Sequence, residues 1–356
     1  MFVGGEFFSD TRWVTDHPMI STQGMYFLNG GRACLMLICD YLLDHGIDQI
    51  LLPSYLCPSI LQILERQGLL YDFYPVKEDL SIDLQSLTRK AESYRAIYLL
   101  NYFGFKHNPE TLDFLKRLQR NGILVVEDNA QTGFSDDMMG DFVFNSMRKL
   151  SAFDGGYLIT QKDINPYFAK YLGRPNRRLA MIRDYRQRLL DYLVNGQGDH
   201  GELERLFYLA ETAYETDEVV FGNIEEREAI EHLDWPGIKQ KRRDNFEYLL
   251  GLILDMPEIV PIFPTLQTDN MPLGLPVYVT GIARDLLNDT LSHAGIGLTI
   301  HWEEILSYPG MQSNLLALDM AKRMLTLTID QRFGHKHMDY LAANLFRAIK
   351  TIKITG

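Results

Sequence analysis

The stretch ILVVEDNAQT at residues 123–132 decides the fold. Its first half is a short apolar run, which reads as a buried strand, and the run closes on a carboxylate, Asp128. Three similar runs precede it: QILLPSY at 49–55, LYDFYPV at 70–76 and AIYLLNYF at 96–103, separated by helix-like stretches such as residues 112–120. Strands alternating with helices predict an α/β fold built on a mostly parallel sheet. Ligands of such sheets sit at the carboxyl ends of the strands, so the polar residues that end these runs, Tyr55, Asn101 and Asp128, are the first candidates for function.

Upstream, Leu35, Ile38, Tyr41 and Leu42 recur at helical spacing over residues 32–45, and Gly46 supplies a stop. Asn29-Gly30-Gly31 just before this helix is either a plain glycine turn or a turn whose exposed N–H groups hold an anion. Downstream, GDFVFNSMRKLSAFDGGYLIT at 140–160 reads as a strand, an irregular loop carrying Ser146, Arg148 and Lys149, the pair Gly155-Gly156, and another strand. Residues 174–188 hold six arginines, which fit a solvated helix face or a contact to an anionic substrate. The pattern breaks at 234–237, and a long helix follows over 239–254. The division expected is a large domain at 1–235, with an N-terminal arm at about 1–20, and a smaller α+β domain at 236–356. In the latter, a helix at 284–294 ends at Gly295, residues 297–302 are strand-like, and 338–352 form a terminal helix.

The chain has 356 residues, 46% of them apolar, with 35 Lys+Arg against 47 Asp+Glu and a net charge of −12. Such a composition excludes fibrous and disordered classes, and the acidic balance argues against a nucleic-acid partner, whose phosphates require a basic surface. Cys34, Cys39 and Cys57 form no CxxC pair and no disulfide framework, which fits a reducing, cytoplasmic location. No signal peptide is expected at residues 1–16, and no stretch reaches the roughly 18 uninterrupted apolar residues of a membrane span.

Two side chains stand out chemically. A carboxylate at the end of an apolar strand needs a partner, because an unpaired buried charge is costly. A lysine in a partly dry site has a lowered pKa and becomes an amine nucleophile. One lysine for an aldehyde cofactor and one aspartate for a pyridinium nitrogen are the main parts of a pyridoxal phosphate site, and Lys149 and Asp128 are candidates for the two.

In the order and wording of its motifs the chain resembles the DegT/StrS-type nucleotide-sugar aminotransferases, which are pyridoxal phosphate enzymes of fold type I. The resemblance runs from about Leu28 to the C-terminus, through LNGGRACL (28–35), LPSYLCPS (52–59), YFG (102–104), VVEDNAQT (125–132), GDFVFNSMRKLSAFDGG (140–156), GIGLTIHW (295–302) and MLTLTIDQR (324–332). It implies a seven-stranded, mostly parallel sheet in the large domain and a homodimer with shared active sites. The reaction implied passes an amino group from a donor such as glutamate to a keto-sugar carried on a nucleotide.

Carried over by position, Lys149 would join the cofactor aldehyde as a Schiff base and then move protons, and Asp128 would keep the ring nitrogen protonated. Gln131 would contact the ring hydroxyl. Ser146 and the N–H groups of Gly31 and Arg32, after the Gly30 turn, would hold the phosphate. Either Tyr55 or Cys57 would cover the ring. Asn223 stands where an asparagine of the neighbouring chain would reach the phosphate, or else it caps a helix. His301 is a substrate contact or a packed residue of the small domain. Gly31 departs from the family, which usually has a phosphate-binding Thr there. The grouping of His335, His337 and Asp339 reads as a surface cluster, and no metal is assigned. Two other readings stand beside aminotransfer: a dehydratase, which the retained Lys149 disfavours because the family's dehydratases carry a histidine there, and a non-catalytic binding or regulatory protein.

Overall fold

The computed structural model describes residues 1–355. After the two-residue β1 (Val3–Gly4), seven strands form the main sheet: β2 (Tyr26–Leu28), β3 (Gln49–Pro53), β4 (Leu70–Tyr74), β5 (Ala96–Leu100), β6 (Leu124–Asn129), β7 (Phe142–Asn145) and β8 (Gly156–Thr160). Their order is β2-β8-β7-β6-β5-β3-β4. Strands β3 to β7 pair in parallel, while β8 runs antiparallel to β7 and β2 antiparallel to β8. This is the mostly parallel, seven-stranded architecture expected.

The sheet forms because its central strands have no polar face to offer water. Ala96, Ile97, Tyr98 and Leu99 of β5 and Val125 and Val126 of β6 are all buried. Helices α1 (Gly31–Asp44), α2 (Pro58–Gln67), α3 (Leu84–Ala91) and α4 (Pro109–Arg120) connect the strands. In α1 the predicted stripe of Leu35, Ile38 and Leu42 is buried, and the helix packs against α2, β7 and β8. Local signals start the others: Asn108 caps α4 by accepting from the Thr111 N–H at 2.8 Å, with Pro109 at the first helical position. In register, Leu100, Asp128 and Phe144 lie side by side at the carboxyl ends of β5, β6 and β7.

Beyond the sheet, α5 (Arg177–Asn195) and α6 (His200–Thr216) pack on each other, followed by α7 (Ile224–Glu231) and the long α8 (Trp235–Ile253). A second sheet of order β12-β10-β9 is antiparallel, built from β9 (Ile259–Pro261), β10 (Leu275–Val279) and β12 (Met324–Leu327). With it go α9 (Arg284–His293), α10 (Leu315–Arg323) and α11 (His335–Thr355). The first residues of the chain belong with this part, since β1 pairs in parallel with β11 (Ile296–Gly297).

Two expectations are corrected. Residues 297–302 are not a strand beyond Gly297: Thr299 makes a single bridge to Thr326, and the backbone carbonyl of His301 accepts from the Tyr55 hydroxyl, so a side chain takes the place of a neighbouring strand. The arginines of α5 are not all solvated. Arg178 and Arg186 are buried against Asp154, at 2.6 and 2.8 Å, while Arg177, Arg183 and Arg188 make ion pairs nearer the surface.

Gly156 opens β8 where the sheet meets the start of α1. A Cβ there would lie 2.4 Å from the Asn145 carbonyl oxygen and 3.1 Å from Gly30 Cα, both backbone atoms that cannot swing aside. Gly156→Ala is expected to lower stability by about 1–3 kcal/mol through overpacking, read as a fall in the urea midpoint.

Candidate active site

The carboxyl ends of β5, β6 and β7 open into a cavity of about 270 Å³. Its lining includes Gly31, Arg32, Cys57, Asp128, Gln131, Ser146 and Lys149 among the residues singled out in the sequence. Segments from Gly31 to Lys149 converge there because the parallel crossovers return the strands with the same polarity.

Asp128 is almost fully buried. One carboxylate oxygen accepts from the Tyr98 hydroxyl at 2.6 Å and the other from the Ala130 N–H at 2.7 Å. Burial nonetheless dominates, and raises its pKa to about 6; the Tyr98 and Ala130 hydrogen bonds and the charge of Lys149 pull the other way. Lys149 ends a tight turn, Met147–Lys149, directly after β7. Its side chain is accessible to solvent through the cavity and makes no hydrogen bond or ion pair among the described residues. Enclosure by the surrounding protein, and next the charge of Arg148, lowers its pKa. The result is a buried acid and an unpaired amine facing one space.

At the other end of the cavity α1 begins without a side-chain cap, at Gly30 with φ 141°. A Cβ on Gly30 would come 2.4 Å from the Tyr214 hydroxyl, and one on Gly31 would come 3.3 Å from the Phe144 ring and 3.6 Å from Ser146 Cβ. Phe144 and Ser146 thus close on Gly31. The Ser146 hydroxyl has no protein partner among the described residues, and it faces the cavity with the uncapped helix start. Helix N–H groups and a hydroxyl form an anion site. Gln131 has its carbonyl oxygen engaged by the Phe103 N–H at 2.8 Å, which leaves the amide nitrogen as the group available to a ligand.

Of the two candidates for covering a ring, Cys57 lines the cavity, whereas Tyr55 is fully buried behind it, its hydroxyl bound to the His301 carbonyl and 3.2 Å from Met324 Sδ. Trp302 lines the cavity too, with its ring 5.2 Å from that of Tyr55. Asn223 caps α7, accepting from the N–H groups of Glu225 and Glu226 at 2.9 and 3.2 Å, and stands outside this chain's cavity. His301 is also outside it: buried, held by the Thr326 hydroxyl at 2.9 Å and kept neutral by burial, which pushes its pKa down to about 3. Near the C-terminal helix, His335 stacks on Tyr248, whose hydroxyl donates to Asp339 at 2.8 Å, and among the described residues no three potential ligands cluster as a metal site would.

Sequence reasoning missed three contributors. Tyr98 is a hydroxyl in the middle of an aliphatic strand, a signal that was present and unused. Glu211 and Tyr214 of α6 reach the cavity from a region without recognisable motifs; Glu211 accepts from Arg148 at 3.2 Å, and Arg148 lies over the Tyr214 ring at 4.6 Å.

No protein-family model matches the chain, and no curated protein matches its sequence. Solved structures do match in fold. A Streptococcus pneumoniae sugar aminotransferase in its PMP form superposes with a TM-score of 0.68 at 15% identity, over 97% of this chain and 93% of the other. S. venezuelae DesV gives 0.62 at 19% identity, over 94% and 85%. An E. coli GDP-4-keto-6-deoxy-D-mannose-3-dehydratase with hydrated PLP gives 0.64 at 18%, over 90% and 87%. At these identities the likeness is one of fold, and it extends over the whole length.

Because the folded pKa of Asp128 is raised, its proton is held between about pH 4 and 6 in the native state and released in the unfolded one, so native stability falls as pH rises through that window. In cofactor-free protein this component is on the order of 3 kcal/mol. Asp128→Asn is expected to abolish it: urea midpoints at pH 4.5 and 7 should converge in the variant relative to wild type.

Proposed function

We propose that the protein is a pyridoxal phosphate-dependent aminotransferase acting between an amino donor such as glutamate and a nucleotide-linked keto-sugar. The observation that carries this reading is one cavity lined by Asp128, by Lys149 with its unpaired amine and by the uncapped start of α1. The residues present fit the cofactor: Gly31 and Arg32 N–H groups and the Ser146 hydroxyl for its phosphate, the Gln131 amide for its ring hydroxyl, and Asp128 for its ring nitrogen. When bound, pyridoxal phosphate supplies an aldehyde that combines with amines and a ring that takes up an electron pair from the adjoining carbon.

Within that frame each side chain has a definite task. The lowered pKa of Lys149 raises its neutral fraction, so the amine is a nucleophile when free and a base when it takes a proton from the substrate carbon. Asp128 provides negative charge at the ring nitrogen, where a proton must be retained, and its burial strengthens that interaction. Tyr98 and the Ala130 N–H hold the carboxylate in one orientation. Arg148 is paired with Glu211, and its charge next to Lys149 adds to the lowering of that amine's pKa. The keto-sugar and the homodimer belong to the same reading and rest on the resemblance of the motifs, and the cytoplasmic location rests on the cysteine usage.

Titration of purified protein with pyridoxal phosphate is expected to produce a visible absorbance band that Lys149→Ala lacks and that glutamate bleaches. Asp128→Ala is expected to retain cofactor while slowing the bleaching roughly 10²-fold or more. A wild type without the band would turn the assignment to a binding protein, and a near-normal rate in Asp128→Ala would remove the role given to that carboxylate.

A further inference from the structure

The cations that line the cavity beside Asp128 are Arg32, Arg148 and Lys149. Lys149 is the amine assigned to the aldehyde. Arg148 is committed to Glu211, at 3.2 Å, and that carboxylate is fixed from its other side by the buried Arg178, at 2.5 Å. Arg32 is the cation held most loosely. Its Nη2 pairs with Glu215 at 3.1 Å, which links α1 to α6, while its Nε and Nη1 have no hydrogen-bond partner among the described residues.

Arg32 is the second residue of α1, whose first N–H groups lack a side-chain cap. Ser146, 5% exposed, lines the same cavity with its hydroxyl free of any protein partner among the described residues. Gly31 brings no hydroxyl. These donors are neutral, whereas a phosphate ester carries more than one negative charge at neutral pH, and neutral donors alone do not balance it in a partly dry space. A guanidinium does, with a permanent charge and directional N–H groups.

The carboxylate that now holds Arg32 is easily displaced. The Glu215 side chain is 51% exposed, so its charge returns to water at little cost, and ion pairs placed in this way are weak. Its backbone is held independently of that pair: Arg66 Nη1 donates to the Glu215 carbonyl at 2.9 Å, and the ring of Tyr214 lies under both Arg32 and Arg148, at 5.5 and 4.6 Å. The end of α6 can therefore stay in place while one carboxylate swings away.

We propose that Glu215 is an internal competitor at the anion end of the site: its carboxylate holds the Arg32 guanidinium until the phosphate of the cofactor enters, and the phosphate then takes the guanidinium from it. The inference rests on the cofactor reading of this cavity and adds to it a residue of the chain that opposes binding.

The test compares visible-band titrations with pyridoxal phosphate and with pyridoxal, which has the same ring and aldehyde but no phosphate. Glu215→Gln removes the competing charge from an exposed position and is expected to tighten pyridoxal phosphate binding about two- to fivefold while leaving pyridoxal unchanged, whereas loss of a merely structural contact would weaken both. Arg32→Gln is expected to weaken pyridoxal phosphate at least about tenfold, again without moving pyridoxal. In Arg32→Gln/Glu215→Gln the gain from losing Glu215 is expected to vanish, because the carboxylate opposes the phosphate through Arg32. Unchanged or weakened pyridoxal phosphate binding in Glu215→Gln, or an equal gain with and without Arg32, would overturn the competitor while the wild-type band leaves the cofactor reading standing. No wild-type band with either compound overturns the cofactor reading, and the competitor with it.

Discussion

The structure turns on a carboxylate held out of water. Asp128 lies at the carboxyl end of β6, in a strand otherwise buried, and little solvent reaches it to offset the loss of hydration. What keeps it in place is a phenol from the neighbouring strand and a backbone N–H two residues on. Neither is a cation, so the acid is oriented without being neutralised. The charge that acts on it favourably comes from Lys149, across the cavity. The acid and the amine line one cavity, each shifted toward its neutral form.

The loop that carries Lys149 is fixed from two directions. On one side Asp154 is clamped by Arg178 and Arg186, and Arg178 also reaches Glu211 at 2.5 Å, which in turn holds Arg148. On the other, Gln331 binds the Leu150 carbonyl and joins the loop to Arg242. Elements separated by more than a hundred residues thus set the position of one amine. The buried ion pairs specify placement more than they add stability, since desolvation offsets much of their attraction.

Much of the fold was legible in the residues because periodicity is a local property. The helix at 32–45 is α1 within a residue at each end, and the apolar runs at 49, 70, 96 and 123 each open a strand or lie within one residue of it; of the residues ending them Asp128 lines the cavity, while Tyr55 is buried behind it and Asn101 is bonded to Glu127 and Asn129. The cavity residues Lys149, Asp128, Gln131 and Ser146 were legible for a related reason: each lies at a strand end or within four residues after it, so chain position carries it to the open edge of the sheet. The arginines of α5 were not. A run of charges looks solvated until a distant carboxylate, here Asp154, is brought against it.

The sequence by itself determined the sheet, the polarity of its strands and the group of residues at their carboxyl ends, because alternation of strand and helix leaves a right-handed parallel fold few alternatives. Only the tertiary structure decided that Cys57 and not Tyr55 reaches the cavity, that Asn223 serves as a cap, that Tyr98 orients the acid, and that Gln331 joins Arg242 to the carbonyl of Leu150. Each of these depends on which distant atoms compete for one hydrogen-bonding group. That competition is settled by packing between segments far apart in the chain, and no local pattern records it.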